Sequence, residues 1–70
     1  MDWINTPNSS NLSRFAYDSE HMILTVEFKR GGTYNYYDVP EGIFELMKTA
    51  QSHGRALAQN VKGIYRYARI

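Results

Sequence analysis

The sequence predicts an α+β domain: a three-stranded antiparallel meander packed against one main helix, with a short second helix and a C-terminal tail. The residues from Met22 to Phe28 alternate between apolar and polar types, which is the period of a half-buried strand. A glycine-containing turn and a Tyr-x-Tyr stretch follow. After Val39 the apolar residues recur at helical spacings instead. A chain of 70 residues has room for one such domain.

The three strands follow one another along the chain. Residues 12–17 form the first, and Asp18, Ser19 and Glu20 favour a turn because their side chains bond nearby backbone groups. The second strand has one apolar face, which consists of Met22, Leu24, Val26 and Phe28. Residues 29–32 supply a hairpin loop, and the third strand then contains Tyr34 and Tyr36.

The main helix begins near Pro40, since proline suits the first helical turn. Two starts are open: Asp38 forms a capping box with Glu41, or Val39 is the capping residue and Pro40 the first helical residue. The apolar face of this helix consists of Ile43, Phe44, Met47 and Ala50.

The sequence predicts a short second helix after a break at residues 51–54. This helix covers residues 55–61, with Ser52 as its capping residue. Gly63 ends it in the left-handed conformation that glycine tolerates. The tail from Ile64 onward returns as an edge strand or as a docked coil.

Composition and length exclude several classes of protein. The chain has no cysteine, so neither disulfides nor a thiolate-rich zinc site stabilise it. It is too short for a doubly wound sheet or a barrel enzyme. We expect a lead of residues 1–8, whose Trp3 folds back over a core edge, and one domain of residues 9–70. Neither a secretory signal nor a membrane span is visible, so a cytoplasmic location is the default expectation.

No constellation of residues predicts catalysis, a cofactor or a metal ion. His21 and His53 lie far apart and outside any spacing typical of metal ligands. Ser52 lies in AQSHG, which superficially resembles a nucleophile elbow, but the elbow requires a strand-to-helix turn within a large hydrolase sheet. We therefore expect a non-enzymatic protein without a small-molecule substrate.

The positive charges concentrate near the C-terminus. The net charge is +1, yet residues 55–70 contain four of the eight basic residues and none of the seven acidic ones. Such a tail is either a solvated end or an attractive surface for a polyanion or an acidic protein.

The tyrosines permit two interpretations. Alternation sends Tyr34 and Tyr36 to one face of the third strand and Tyr37 to the other. The pair belongs either to the core or to a platform that stacks bases beside Lys29 and Arg30. The core interpretation is favoured, because the pair is needed on the helix side to complete a sufficiently thick core layer.

The chain resembles the KTSC family, named for its place at the C-terminus of some lysyl-tRNA synthetases and also found as small bacterial and phage proteins. The resemblance runs from Ser9 to Tyr67. It rests on SSNLSRFAYD, on LTVEFKRGGTYNYYDVP with its Y-x-Y and V-P, on the A-x-S-x-G of residues 50–54 and on the closing residues 63–67. It implies no particular activity, although attachment to a synthetase suggests RNA binding.

Two hypotheses about function follow. In the first, the domain binds RNA, such as tRNA, and a base stacks on Tyr37 or Tyr65. The phosphates then contact Lys29, Arg30, Lys62, Arg66 and Arg69. In the second, it is a protein-interaction module, for example a phage or accessory regulator that docks on host transcription or translation machinery, with the tail and an exposed aromatic residue as anchors. The exposed edge of the sheet is a further site at which a partner strand can add.

Overall fold

A computed structural model describes residues 2–70 of the chain. Within them the chain forms five strands and two helices around one core. In chain order the elements are β1 (Ile4–Asn5), β2 (Leu12–Asp18), β3 (Ile23–Phe28), β4 (Gly32–Tyr36), α1 (Glu41–Thr49), α2 (His53–Asn60) and β5 (Tyr67–Arg69).

The strands form a single antiparallel sheet in the order β1-β2-β3-β4-β5. The predicted three-stranded meander is therefore too small, although its α+β class is correct. The two additional strands lie at the sheet edges, where the short segments around Ile4 and Ala68 find partners in β2 and β4. Strands of two and three residues carry too little alternation to be recognised in a sequence.

An irregularity in β2 explains why its sequence does not alternate. The register with β3 shifts between Leu12 and Arg14, so that Leu12 faces Phe28 while Arg14 faces Glu27. The extra residue turns both Leu12 and Phe15 toward the helices, where both are fully buried.

The core lies between the helices and one face of the sheet. It consists of Leu12, Phe15, Leu24, Val26, Tyr36, Val39, Met47, Ala56, Leu57 and Val61. The other face of β2 to β5 carries small, charged or aliphatic residues and no aromatic ring. On that face Thr25 donates a hydrogen bond of 2.7 Å to the side chain of Asn35, and Arg14 pairs with Glu27 at 3.0 Å.

Two predictions about local structure are wrong at the ends of elements. Met22 was expected to begin the apolar face of the second strand, but it has a positive φ of 57° and is exposed. Neither predicted start of α1 is observed. Pro40 is the capping residue itself, without a side-chain hydrogen bond, and Asp38 has a positive φ of 58°. Met22 and Asp38 lie in tight connections, where the backbone conformation of the turn decides the direction of a side chain more than the apolar pattern does.

The second helix begins as predicted and covers a slightly different range. The hydroxyl of Ser52 accepts a hydrogen bond of 3.2 Å from the backbone amide of Arg55, so Ser52 is a true capping residue. Gly63 has a φ of +78°, the left-handed conformation expected after the helix. The helix itself covers residues 53–60 rather than 55–61.

The N-terminal segment takes part in the packing. Ile4 packs against the core, and the almost fully buried Thr6 donates a hydrogen bond from its hydroxyl to the carbonyl of Leu12 at 2.9 Å. Trp3 does fold back on the sheet. The guanidinium of Arg14 covers its ring, 4.0 Å from the ring centroid. Arg14 lies on the face of the sheet opposite the helices, so Trp3 covers that face. Neither helix in residues 2–70 has the length and apolar character needed to cross a membrane.

Candidate functional site

The described residues contain an open groove of about 670 Å³, which we call the tyrosine groove. It runs along β4 and β5, between the β3–β4 turn and the segment after α2. Its lining comprises Ser10, Asn11, Phe28, Lys29, Arg30, Gly31, Tyr34, Tyr36, Lys62, Gly63 and Tyr67. The volume falls within the range of roughly 300–1,000 Å³ typical of small-ligand sites.

Four aromatic rings form one side of the groove. Phe28 and Tyr34 meet edge to face, with ring centroids 5.6 Å apart. Tyr67 lies 5.8 Å from both Tyr34 and Tyr36, because β5 pairs with β4 in a register that places Tyr67 opposite Tyr36. Tyr67 is 60% exposed, so much of this residue's surface is free to contact a ligand.

Three basic side chains and no acidic one line the groove. Lys29 and Arg30 lie in the β3–β4 turn, and Lys62 follows α2. The ammonium of Lys29 donates a hydrogen bond to the carbonyl of Ser9, and that of Lys62 lies 4.9 Å from the centroid of Phe28. None of the three forms a salt bridge within residues 2–70, so their positive charge is not neutralised by a neighbouring carboxylate.

Tyr36 is the most buried residue of the groove, with only 3% of its surface exposed. Desolvation by burial raises the pKa of its hydroxyl, and the neighbouring hydroxyls of Tyr67 and Tyr34 raise it further. The group therefore stays protonated at neutral pH and can donate a hydrogen bond. Tyr34 is half-buried on the same face. The prediction that this pair faces the helix side is thus confirmed, and the same rings also line the groove.

The predicted site residues divide into two groups. Lys29, Arg30 and Lys62 come together at the groove, and Arg69 lies close to it. A Cβ atom at Gly32 would lie only 2.8 Å from Nε of Arg69, so the Arg69 side chain crosses directly over this glycine, beside the turn.

Tyr37 and Arg66 lie away from this group, beyond the other end of β4. The amide of Tyr37 donates to the carbonyl of Arg66 at 2.8 Å, and the Arg66 guanidinium covers the Tyr37 ring at 5.1 Å. Arg66 also lies 3.5 Å from the carboxylate of Asp38. Tyr65 is half-buried and packs against the core. The structure therefore places neither Tyr37 nor Tyr65 in the groove.

Sequence reasoning missed Phe28 and Tyr67 as members of this site. Phe28 does lie on the predicted apolar face of β3 and packs against the core, but at the strand end it is only half-buried and also lines the groove. The repeat of Tyr-x-Tyr at residues 34–36 and 65–67 was the available signal for Tyr67. Its structural significance depends on the pairing of β5 with β4, which places Tyr67 opposite Tyr36.

The histidines lie outside the groove, one of them within a cluster of titratable groups. Asp18, Glu20 and His21 lie together in the β2–β3 turn, where Asp18 accepts hydrogen bonds from the backbone amides of Glu20 and His21. Its other oxygen bonds Nδ1 of His21 at 2.8 Å, and this bond is the main cause that lowers the pKa of Asp18. These interactions account for the cluster as a stable turn. His53 begins α2, with its ring 5.8 Å from that of Phe15.

Comparison with known proteins identifies a family over most of the chain. The family model described as "KTSC domain" matches residues 8–67. A protein of Tsukamurella paurometabola is 38% identical over 58 residues, which cover 83% of this chain and 87% of that protein.

The lysine–tRNA ligase of Nostoc punctiforme is 30% identical over 64 residues. The match covers 91% of this chain and 11% of the ligase, so the chain spans about a tenth of that relative. Among solved structures, a KTSC domain protein from Yersinia pestis aligns with a TM-score of 0.94 at 29% identity. The alignment covers 99% of this chain and 96% of that one.

Proposed function

This chain belongs to the KTSC domain family, and from that membership and the tyrosine groove we propose that it is a non-enzymatic module that binds nucleic acid, with RNA as its natural ligand. The observation that carries the proposal is the composition of the groove. Exposed aromatic surface and three basic side chains without a carboxylate partner line one concavity, and no acidic residue lies among them.

The physics of single-strand binding fits these features. Proteins that bind single strands combine a positive surface, which follows the phosphates, with aromatic rings on which bases stack. Lys29, Arg30 and Lys62 supply the charge here, and Tyr67 supplies the most exposed ring. The lysine–tRNA ligase relatives support RNA as the nucleic acid, because tRNA is the nucleic acid on which those enzymes act.

The proposal predicts a modest and salt-dependent affinity. About three phosphate contacts give a slope of log affinity against log salt of roughly −2 for a single strand. We would titrate the isotope-labelled protein with a mixed tRNA pool at low and at physiological salt, and follow the backbone amides by NMR. Shifts are expected in residues 28–36 and 62–69 and should fade as salt is added.

Charge variants provide the matched control. Binding should be weakened by each of three variants, Lys29→Gln, Arg30→Gln and Lys62→Gln. Each should also reduce the magnitude of the slope of log affinity against log salt by the contribution of about one phosphate contact. Arg55→Gln changes the net charge by the same amount at an exposed site outside the tyrosine groove, and should leave the affinity nearly unchanged. Equal losses in all four variants would mean that only the net charge matters, and no shifts at low salt would refute nucleic-acid binding altogether.

The open edge of β5 favours a second candidate, a protein-interaction module. This strand pairs with β4 on one side only, and the nearby Ile64 and Ile70 are 61% and 67% exposed. Such an edge accepts an added strand from a partner, for instance a protein of the transcription or translation machinery. Under this alternative, Ile64→Ser combined with Ile70→Ser would reduce the capture of proteins from a bacterial lysate and leave nucleic-acid affinity unchanged.

A further inference from the structure

The hydroxyl of Tyr36 is a polar group without a partner in an otherwise buried side chain. It makes no side-chain hydrogen bond within residues 2–70, although only 3% of the residue's surface is exposed. Every fully buried polar side-chain atom of the described residues does have a partner, so this hydroxyl must retain access to solvent. The tyrosine groove is the cavity that Tyr36 lines, and the hydroxyl therefore opens into the groove.

The surroundings of this hydroxyl are aromatic rings, and the neighbouring polar groups are the hydroxyls of Tyr67 and Tyr34. Tyr67 stands beside it, at 5.8 Å between ring centroids, and Tyr34 and Phe28 continue the aromatic wall toward the β3–β4 turn. A polar group on an aromatic surface orients a ligand, because a ligand without a matching atom leaves the group unpaired.

The aromatic floor and the basic rim occupy different ends of the groove. Tyr36, the most buried lining residue, forms the floor with Tyr67 opposite it on β5. The basic rim lies toward the other end of β4, where Lys29 and Arg30 belong to the β3–β4 turn and the ammonium of Lys62 lies 4.9 Å from the centroid of Phe28. One nucleotide presents a base edge with donors and acceptors, a flat base face, and a phosphate, and a base at the floor would direct its phosphate toward the rim.

We propose, on the basis of the nucleic-acid function proposed above, that the tyrosine groove takes one unpaired nucleotide whose base stacks on Tyr67 and bonds the Tyr36 hydroxyl, with its phosphate at the basic rim. A base in a duplex is paired and stacked, so it cannot reach the groove floor. The domain is therefore selective for single-stranded RNA, or for loops and ends, over a continuous duplex.

The test compares one labelled RNA in two states. The probe is a mixed-sequence single strand of about eight nucleotides, within the site size of roughly 4–16 nucleotides for such proteins. Its affinity is measured by fluorescence anisotropy at low salt, alone and after annealing to its complement. The wild-type protein should bind the single strand at least tenfold more tightly than the duplex.

Two variants test the contacts to the base. Tyr67→Ala should weaken single-strand binding by about 5- to 150-fold, the effect of one lost stacking contact. Tyr36→Phe removes only the hydroxyl and should weaken binding by about 2- to 10-fold. Tyr17→Phe removes a tyrosine hydroxyl outside the groove, Leu46→Ala truncates an exposed side chain on α1, and both should bind as the wild type does.

The outcomes separate this inference from the proposed function. If the duplex binds as tightly as the single strand, or if Tyr36→Phe and Tyr67→Ala keep the wild-type affinity, the inserted nucleotide is refuted. Nucleic-acid binding would then survive as a purely electrostatic contact, provided that Lys29→Gln and Lys62→Gln still weaken it. If the wild-type protein binds neither form of the RNA, both proposals fail, and the protein-interaction alternative takes their place.

Discussion

At the scale of single residues, tyrosines with similar sequence surroundings have different roles. Tyr36 is almost fully buried, Tyr34 is half-buried, and Tyr67 on the neighbouring strand is 60% exposed, although all three face the same side of the sheet. Burial depends on the position across the sheet: Tyr36 lies opposite the buried Leu24 of the central strand β3, whereas Tyr67 belongs to an edge strand.

This difference predicts unequal costs of truncation. Tyr36→Ala should lower the free energy of unfolding by roughly 3–5 kcal/mol, because the lost ring leaves a cavity beside Leu24. Tyr67→Ala, on the same face, should cost about 1 kcal/mol or less, since most of its ring is in solvent. Urea unfolding measures both values. Equal stabilities of the two variants would contradict the assignment of Tyr36 to the core.

At the scale of secondary-structure elements, α2 shows how local chemistry fixes one end of a helix. Ser52 caps it through the Arg55 amide, and the helix then buries Ala56 and Leu57 against the core. The same serine belongs to the A-x-S-x-G stretch that superficially resembles a nucleophile elbow. A structural role as the helix cap explains its presence without any catalytic function.

The capping role predicts the effect of removing the hydroxyl. Ser52→Ala should destabilise the protein by about 1 kcal/mol, within the range of 0.5–2 kcal/mol for lost helix caps. Ser19→Ala is the matched control, because Ser19 is exposed in a turn and makes no side-chain hydrogen bond within the described residues. Thermal or urea unfolding distinguishes the two variants, and a Ser52→Ala protein as stable as the Ser19→Ala protein would argue against the cap.

At the scale of the whole molecule, the N-terminal segment and the rest of the chain share one core. The division into a lead of residues 1–8 and a domain of residues 9–70 stays a prediction. Within the predicted lead, Ile4 packs against the core and Thr6 donates a hydrogen bond to the carbonyl of Leu12 in β2. The family model begins at residue 8, so these contacts involve a segment outside its match.

Shared packing predicts a single cooperative unfolding transition. The fluorescence of Trp3, the one tryptophan, reports on the N-terminal segment, and far-ultraviolet circular dichroism reports on the whole fold. The two urea transitions should coincide, with a slope of about 1 kcal/mol per molar urea, as is typical of small domains. An earlier fluorescence transition would show that residues 1–8 are a separate lead that unfolds independently.

The sequence by itself determined the α+β class, the central strands, both helices, the Ser52 cap and the helix-side orientation of Tyr34 and Tyr36. These features depend on local periodicity and on capping chemistry, which neighbouring residues determine. It also indicated Lys29, Arg30 and Lys62 as candidate binding residues, although no sequence pattern showed that they line the same groove.

Only the tertiary structure decided which of these residues line one groove. The pairing of β5 with β4 brought Tyr67 beside Tyr36, and the fold placed the ammonium of Lys62 4.9 Å from the ring centroid of Phe28, the last residue of β3. The same packing left Tyr37 and Tyr65 outside the groove. Such juxtapositions join residues about 30 positions apart through the burial of a shared core, and no local pattern in the sequence records that long-range packing.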